Sequence, residues 1–329
     1  MPAALPWDAA RALLDPATNI IAVTHVAPDG DAIGSLLALT YALRRLGKNV
    51  TPAVDGGVPD NLRFLPGASQ VSGKLKGIQA NLVISLDASD VQRIGEVGKQ
   101  ALDLGTPVIM VDHHRTNTLF GTVNLLDAEA TATAEVLVDW LDALGAKLTK
   151  TVAYCLLTGI VTDTLCFRVN SVTPNTLAKA HRLMLAGASL PKITQHTVNR
   201  RSTSALRLWS KALPTLKVED HTLWVVADKA ALEAAQYTEE GGAGGLVQLL
   251  NETDDGHVAA VFREKSDGAV ELHLRAQPGY DVSTLAKNLG GGGHMLAAGA
   301  TVPGPLAETV ERIVPLLKAA ANPPPTPSA

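Results

Sequence analysis

Residues 20–26, IIAVTHV, are a short apolar, β-branched run followed by the turn-rich APDGD and then by a helical spacing of apolar positions from 32 to 46 that stops at Gly47. The order strand, loop, helix recurs, with apolar runs at 50–54, 82–87 (LVISLD) and 108–112 (VIMVD). Strands alternating with helical segments predict an α/β fold with a mostly parallel sheet flanked by helices. From 131 to about 213 the apolar spacing is three and four, as in AEVLVDWLDAL, TVAYCLLTGIVTD and TLAKAHRLMLAGA, which predicts helices. After Pro214 strands are expected at 221–227, 258–264 and 270–276, a helix near 282–289, and then the run GGGGH at 290–294. This predicts a second, smaller α+β domain. The expected division is a first domain over 1–189, a helical linker over 190–214, a second domain over 215–321 and a tail over 322–329. The tail, proline-rich and nearly free of large apolar groups, is expected to be disordered.

Composition narrows the picture. The chain has 329 residues, 46% hydrophobic and 18% charged, enough for about two globular domains. Its net charge of −4 excludes the global basic field that grips long nucleic acids, so any nucleic-acid substrate is expected to be short or held by a local basic patch. Cys155 and Cys166 lack the spacing of a zinc site or a disulfide framework and read as buried free thiols in a reducing cytoplasm. Neither a signal peptide nor an apolar run of the ~18 to 20 residues needed to span a bilayer is legible. A cytoplasmic protein without a membrane anchor is expected.

Three of the expected strands end in groups that carry chemistry. The first leads into His25, Asp29 and Asp31, the third into Asp87, and the fourth into Asp112, His113 and His114. Loops at the carboxyl ends of parallel strands line the functional crevice, so these groups are expected at one rim. Asp29-Gly30 alone is an ordinary turn former. Turn chemistry, however, gives no reason for two adjacent histidines after an acid at the end of an apolar strand. Carboxylates brought this close repel unless a cation sits among them. Mixed carboxylate and imidazole donors suit manganese, iron, cobalt or zinc better than magnesium or calcium, and there are donors enough for two ions sharing a carboxylate.

The segments HVAPDGDAIGS, SLDASD, VDHH and TGIVTDT, in this order, resemble the four signature motifs of the DHH phosphoesterases, and GGGGHMLAAG resembles the phosphate-gripping motif of their DHH-associated C-terminal domain. The likeness spans nearly the whole chain and is nearest the branch that degrades nanoRNA and dephosphorylates 3′-phosphoadenosine 5′-phosphate. It implies two divalent cations, with manganese expected. His25 and Asp29 would hold one, Asp31, His113 and Asp163 the other, and Asp87 would bridge them. His114 would contact the scissile phosphate, and Asp112 would orient a ligand histidine. In the second domain, Arg275, Gly291, Gly292, Gly293 and His294 would hold the far end of the substrate, the glycines letting backbone N–H groups approach a phosphate. The pattern departs from the family at Leu165 and Cys166, where relatives carry small or glycine residues before the Phe, here Phe167.

The expected partners are short RNA or DNA oligonucleotides and small nucleotides. The family makes a homodimer an open expectation, and nothing in the residues demands one. Alternatives at this stage are a phosphodiesterase for cyclic or linear signalling dinucleotides, a longer single-strand exonuclease, and a non-catalytic, metal-dependent nucleotide-binding regulator.

Overall fold

The apolar runs of the first half line up side by side. In the computed structural model, β1 (Asn19–Thr24), β2 (Asn49–Ala53), β3 (Leu82–Leu86), β4 (Val108–Asp112) and β5 (Val123–Leu126) form a wholly parallel sheet in the order β2-β1-β3-β4-β5. The structure describes residues 5–75, 77–198, 201–237 and 245–322, with His294 described by its backbone only. Two units are distinguished, residues 1–200 and 201–329.

In the first unit the helices are α1 (Trp7–Leu14), α2 (Gly30–Arg45), α3 (Gly95–Leu102), α4 (Thr133–Ala143), α5 (Lys150–Asp163), α6 (Pro174–Leu185) and α7 (Leu190–His196). Alternate residues of each central strand enter different cores. Ile20, Leu82, Ile84, Leu86, Ile109 and Val111 join α2, α4 and α5 in the larger core. Ile21, Val23, Val83 and Val108 meet Val97 and Ala101 of α3 on the other face. A sheet covered on both faces has no polar side, which is why its strands read as continuous apolar runs.

α2 and α5 run antiparallel and close together because small residues meet. A methyl group on Gly34 would lie 2.5 Å from the Cys155 carbonyl, one on Gly30 would run into Thr162, and one on Gly159 would run into Asp31 Oδ1. The glycines thus set the start of α2 beside the end of α5. β5 was not expected from the sequence; at the sheet edge, it buries Leu125 alone of its four residues and the rest are half-buried.

The second unit holds α8 (Thr203–Ala212), β6 (Lys217–Glu219), β7 (Thr222–Ala227), α9 (Lys229–Ala235), α10 (Leu246–Asn251), β8 (Val258–Glu264), β9 (Val270–Ala276), α11 (Ser283–Asn288), β10 (Gly292–His294), β11 (Ala297–Val302) and α12 (Leu306–Ala321). Its mixed sheet has the order β10-β11-β9-β8-β7-β6. Of the expected linker segment, α7 buries Ile193 in the first unit's core and α8 buries Leu208 in a core of the second. The expected tail lies outside the described residues from 323 onward. Cys155 is buried, but Cys166 is only half-buried, a correction to the reading of both thiols as core groups. Among the described residues no helix is long and apolar enough to cross a membrane.

Candidate active site

The strand order reverses between β1 and β3: the chain leaves β1 for β2 on one side and then crosses to β3 on the other. Connections that diverge in this way open a crevice at the carboxyl ends of the strands. His25 follows β1, Asp87 follows β3, and Asp112 ends β4 with His113 and His114 immediately after it.

Each side chain is placed by a local cause. Asp29 is the N-cap of α2, its Oδ1 accepting the N–H of Asp31 and of Ala32, both at 3.0 Å. Asp31, one residue inside that helix, is fully buried. Its Oδ2 accepts the Thr133 N–H at 2.6 Å, and its Oδ1 accepts the Ala134 N–H at 3.0 Å and the Ser35 hydroxyl at 3.2 Å. Asp87 sits in the left-handed region (φ 56°), and its Oδ1 accepts the Thr133 hydroxyl at 2.9 Å.

The seven groups proposed at one rim from the sequence do come together there. His25 Nδ1 donates to its neighbour's carbonyl, Val26 O, at 2.8 Å, which turns Nε2 to Asp87 Oδ2 at 3.6 Å and Asp29 Oδ1 at 3.9 Å. His113 Nε2 lies 3.2 Å from Asp163 Oδ2 and 3.7 Å from Asp87 Oδ1. Asp163, at the end of α5, is carried to the rim by the α2–α5 contact. Donor atoms within 4.8 Å of one another form three groups: His25, Asp29 and Asp87; Asp31, His113 and Asp163; and Asp87 with Asp112, His113 and His114. Asp112, fully buried, accepts His114 Nδ1–H at 2.7 Å through Oδ1 and the Asn117 amide through Oδ2. Its ring partner is therefore His114 rather than His113.

Charge crowding at this rim is uneven. Burial pushes Asp31 well above the ordinary carboxylate range, and the charges of Asp87 and Asp29 push it further. Asp163 is raised well above that range in the same way, by burial first and then by Asp31, Asp29, Asp87 and Asp112. Burial acts to raise Asp87 too, but the His25 hydrogen bond and the charges of His113, His25 and His114 outweigh it and hold the carboxyl at about 2. Among the described residues, the ion pairs of these carboxylates are all with histidines. Several carboxylates that no lysine or arginine pairs with among the described residues, Arg93 reaching only His25 Nδ1 at 3.4 Å, are what a divalent cation relieves, so the donor set fits metal.

Sequence reasoning missed Thr133 and Asn117. Thr133 serves Asp87 with its hydroxyl and Asp31 with its N–H, and no motif marks it. After Asp163, Leu165, Cys166 and Phe167 all have positive φ (47°, 62° and 65°), and the Cys166 N–H returns to Val161 O at 2.8 Å to close α5. In this left-handed turn a small residue would be less strained; here larger side chains adopt it at about 1–2 kcal/mol each.

In the second unit, Arg275 on β9 and His294 on β10 stand in one row across the sheet, each opposite Ala297 of β11. The glycine run is not an open loop but the end of α11 and the edge strand β10. The Gly291 N–H closes α11 by donating to Ala286 O at 2.8 Å, and a methyl on Gly291 would strike the Gly299 carbonyl. Gly293 (φ 137°) would put a methyl 2.5 Å from Ala297 O. Gly290 and Gly292 face open space, and of the two only Gly290 has a positive φ (78°).

The chain belongs to the DHH family of phosphoesterases and is a metal-dependent hydrolase acting on phosphodiesters. Residues 19–160 match the DHH family, N-terminal domain, and residues 227–322 match the DHHA1 domain. Among its relatives is the bifunctional oligoribonuclease and PAP phosphatase NrnA of Thermus thermophilus, 35% identical over 90% of this chain and 88% of that one. The protein of the same name from Bacillus subtilis is 28% identical over 86% and 89%. The crystal structure of an exopolyphosphatase-related protein from Bacteroides fragilis matches with a TM-score of 0.86 at 26% identity, over 95% of this chain and 97% of that one.

Proposed function

We propose that this chain hydrolyses short oligoribonucleotides to mononucleotides, and 3′-phosphoadenosine 5′-phosphate to AMP, in the cytoplasm and with two manganese ions. His25 and Asp29 hold one ion, Asp31, His113 and Asp163 the other, and Asp87 serves both. The observation that carries this reading is the placement of Asp87, whose Oδ2 faces His25 while Oδ1 faces His113, so that its two oxygens belong to different donor groups. When bound, such a pair of cations polarises phosphoryl oxygens and makes a water acidic enough to attack phosphorus at neutral pH.

The chain's own residues supply the rest. Asp112 Oδ1 holds the His114 Nδ1–H and fixes the ring, so Nε2 is the nitrogen that hands a proton to the leaving oxygen. Thr133 and the first turn of α4 hold Asp87 and Asp31 in place. Arg275, Gly292 and His294, with Gly291 and Gly293 shaping the strand, hold the phosphate that is not cleaved. The two relatives that bear both activities in their name support this substrate class.

The test is incubation of the purified protein with manganese and either 3′-phosphoadenosine 5′-phosphate or an RNA ladder of about two to twenty nucleotides. Preferential turnover of the shortest RNAs and release of phosphate from the mononucleotide are expected. Silence on every substrate, with two tightly bound cations, would overturn the reading.

A further inference from the structure

β8 is buried on both faces, whereas β9 and β11 have one buried face and, among the described residues, a second face that is only partly covered, α10 lying against part of β9. Val270, Leu272, Leu274 and Ala276, with Ala298, Ala300 and Val302, face the core that α11 and α12 complete, while every alternate residue of these strands is at least partly open. Register fixes what the open half-face carries. Arg275 is opposite Ala297 and His273 opposite Gly299 on β11, and on β10 His294 is opposite Ala297 and Gly292 opposite Gly299. Paired residues share a face, so the row Arg275, Ala297, His294 runs beside a second row of His273, Gly299, Gly292. The two rows are ~7 Å apart, two residues along a strand, close to the reach of one nucleotide of extended backbone.

In the second row the only side chain is that of His273, and it is held. Its Nε2 lies 2.7 Å from Glu271 Oε2, and the same oxygen accepts Arg263 Nε at 2.7 Å and Nη2 at 2.5 Å. Arg263 is 2% exposed. Burial acts to raise Glu271, but the hydrogen bond and charge of His273, then those of Arg263, outweigh it and hold the carboxyl at about 2. Because Arg263 matches the charge of Glu271, an approaching phosphate meets no uncompensated carboxylate beneath the ring. Nε2–H donates to Glu271, so a ring that also carries a proton on Nδ1 is the form that donates to a phosphate, and Nδ1 is the nitrogen that meets it.

We propose that His273 is a second phosphate-binding residue, taking the internal phosphodiester next to the phosphate held by Arg275, with the nucleotide backbone lying in the trough over Gly299 and Gly292. This rests on the reading of the substrate as a short oligonucleotide. It makes His273 specific for chain length, since a dinucleotide or 3′-phosphoadenosine 5′-phosphate has no further internal phosphodiester to offer.

The test compares His273→Ala and Glu271→Gln with the parent, using 3′-phosphoadenosine 5′-phosphate and 5′-phosphorylated RNAs of two, three and five nucleotides, together with direct binding of the five-nucleotide RNA in chelator. His273→Ala is expected to raise KM for the three- and five-nucleotide RNAs about tenfold, the effect of one lost charge-assisted hydrogen bond, with kcat and the two shortest substrates changed less than about twofold. Glu271→Gln is expected to move the same substrates less. A shift of equal size at all lengths, or no shift at any, would overturn the proposal. A parent that binds the five-nucleotide RNA through His273 but hydrolyses none of the series would overturn the proposed function and keep this inference. A parent that neither binds nor hydrolyses RNA overturns both.

Discussion

The rim of the first unit and the open sheet face of the second solve opposite problems. At the rim, acidic groups are driven together by a parallel sheet closed on both faces and by two helices brought into contact through glycine, and no lysine or arginine pairs with them among the described residues. On the second face Arg263 and Glu271 balance each other, and His273 and the open rows await a ligand rather than a counter-ion. The first region is incomplete without a cation. The second is complete as a fold and selective as a surface.

The largest expected effect lies at the point where the donor groups of the first region join. Asp87→Ala should lose metal and turnover together, measured as bound manganese and released mononucleotide; an active, fully metallated variant breaks the assignment of its two oxygens. Next, His114→Ala should keep its metal and lower kcat by about 10²- to 10⁴-fold, as loss of a proton donor does. An unchanged kcat in that variant would remove His114 from proton transfer. In the second region the change should appear in KM instead: Arg275→Ala is expected to raise it about ten- to a hundredfold, with kcat little altered.

Stability should separate the regions again. A cation that binds the folded rim alone raises the unfolding free energy by about 2.7 kcal/mol at a hundredfold excess over its Kd. Calorimetry of the full chain with and without manganese checks this, and an unmoved transition would sever the link between charge crowding and metal. The smallest effect belongs to Glu271. Its folded carboxyl is held at about 2 against an ordinary 4.5, so the stability it contributes is complete above about 4.5 and is lost as pH falls toward 2. Glu271→Gln should flatten the acid limb of the unfolding curve over that window, and a slope equal to the parent's would count against the network.

Much of the first region was legible because its signals are local. Apolar strands ending in His25, Asp87 and VDHH announce both the sheet and its functional edge, and Gly47 marks the end of α2. Asp163 was reached through a motif alone, since its place at the rim depends on Gly30, Gly34 and Gly159 letting two helices touch, a contact that no periodicity encodes. Thr133 was missed because its hydroxyl and its N–H serve carboxylates from two other segments. The second region was less legible for a different reason. β11 is AAGATV and β10 is GGH, whose small residues have low strand propensity and no alternation to read, so pairing partners rather than side chains define them. The glycine run expected as a phosphate loop proves to be demanded largely by backbone contact, leaving Gly292 as the position without a steric cause.

Asp29 and Asp31 each hold a helix start as well as standing at the rim. Asp29 caps its own helix, and Asp31 accepts the first N–H groups of α4, whose own cap residue, Ala132, provides no side-chain acceptor. Such caps stabilise by about 1 kcal/mol, so purifying selection on folding alone would retain both acids in a descendant that had abandoned chemistry. The DGD signature is therefore a poor witness to activity when lineages are sorted into working and decayed copies. His25 spends its Nδ1 on a neighbouring carbonyl, and among the described residues the ion pair of Asp163 is with His113, so neither shows a comparable architectural reason to persist. Their loss or retention is the mark to read in a genome.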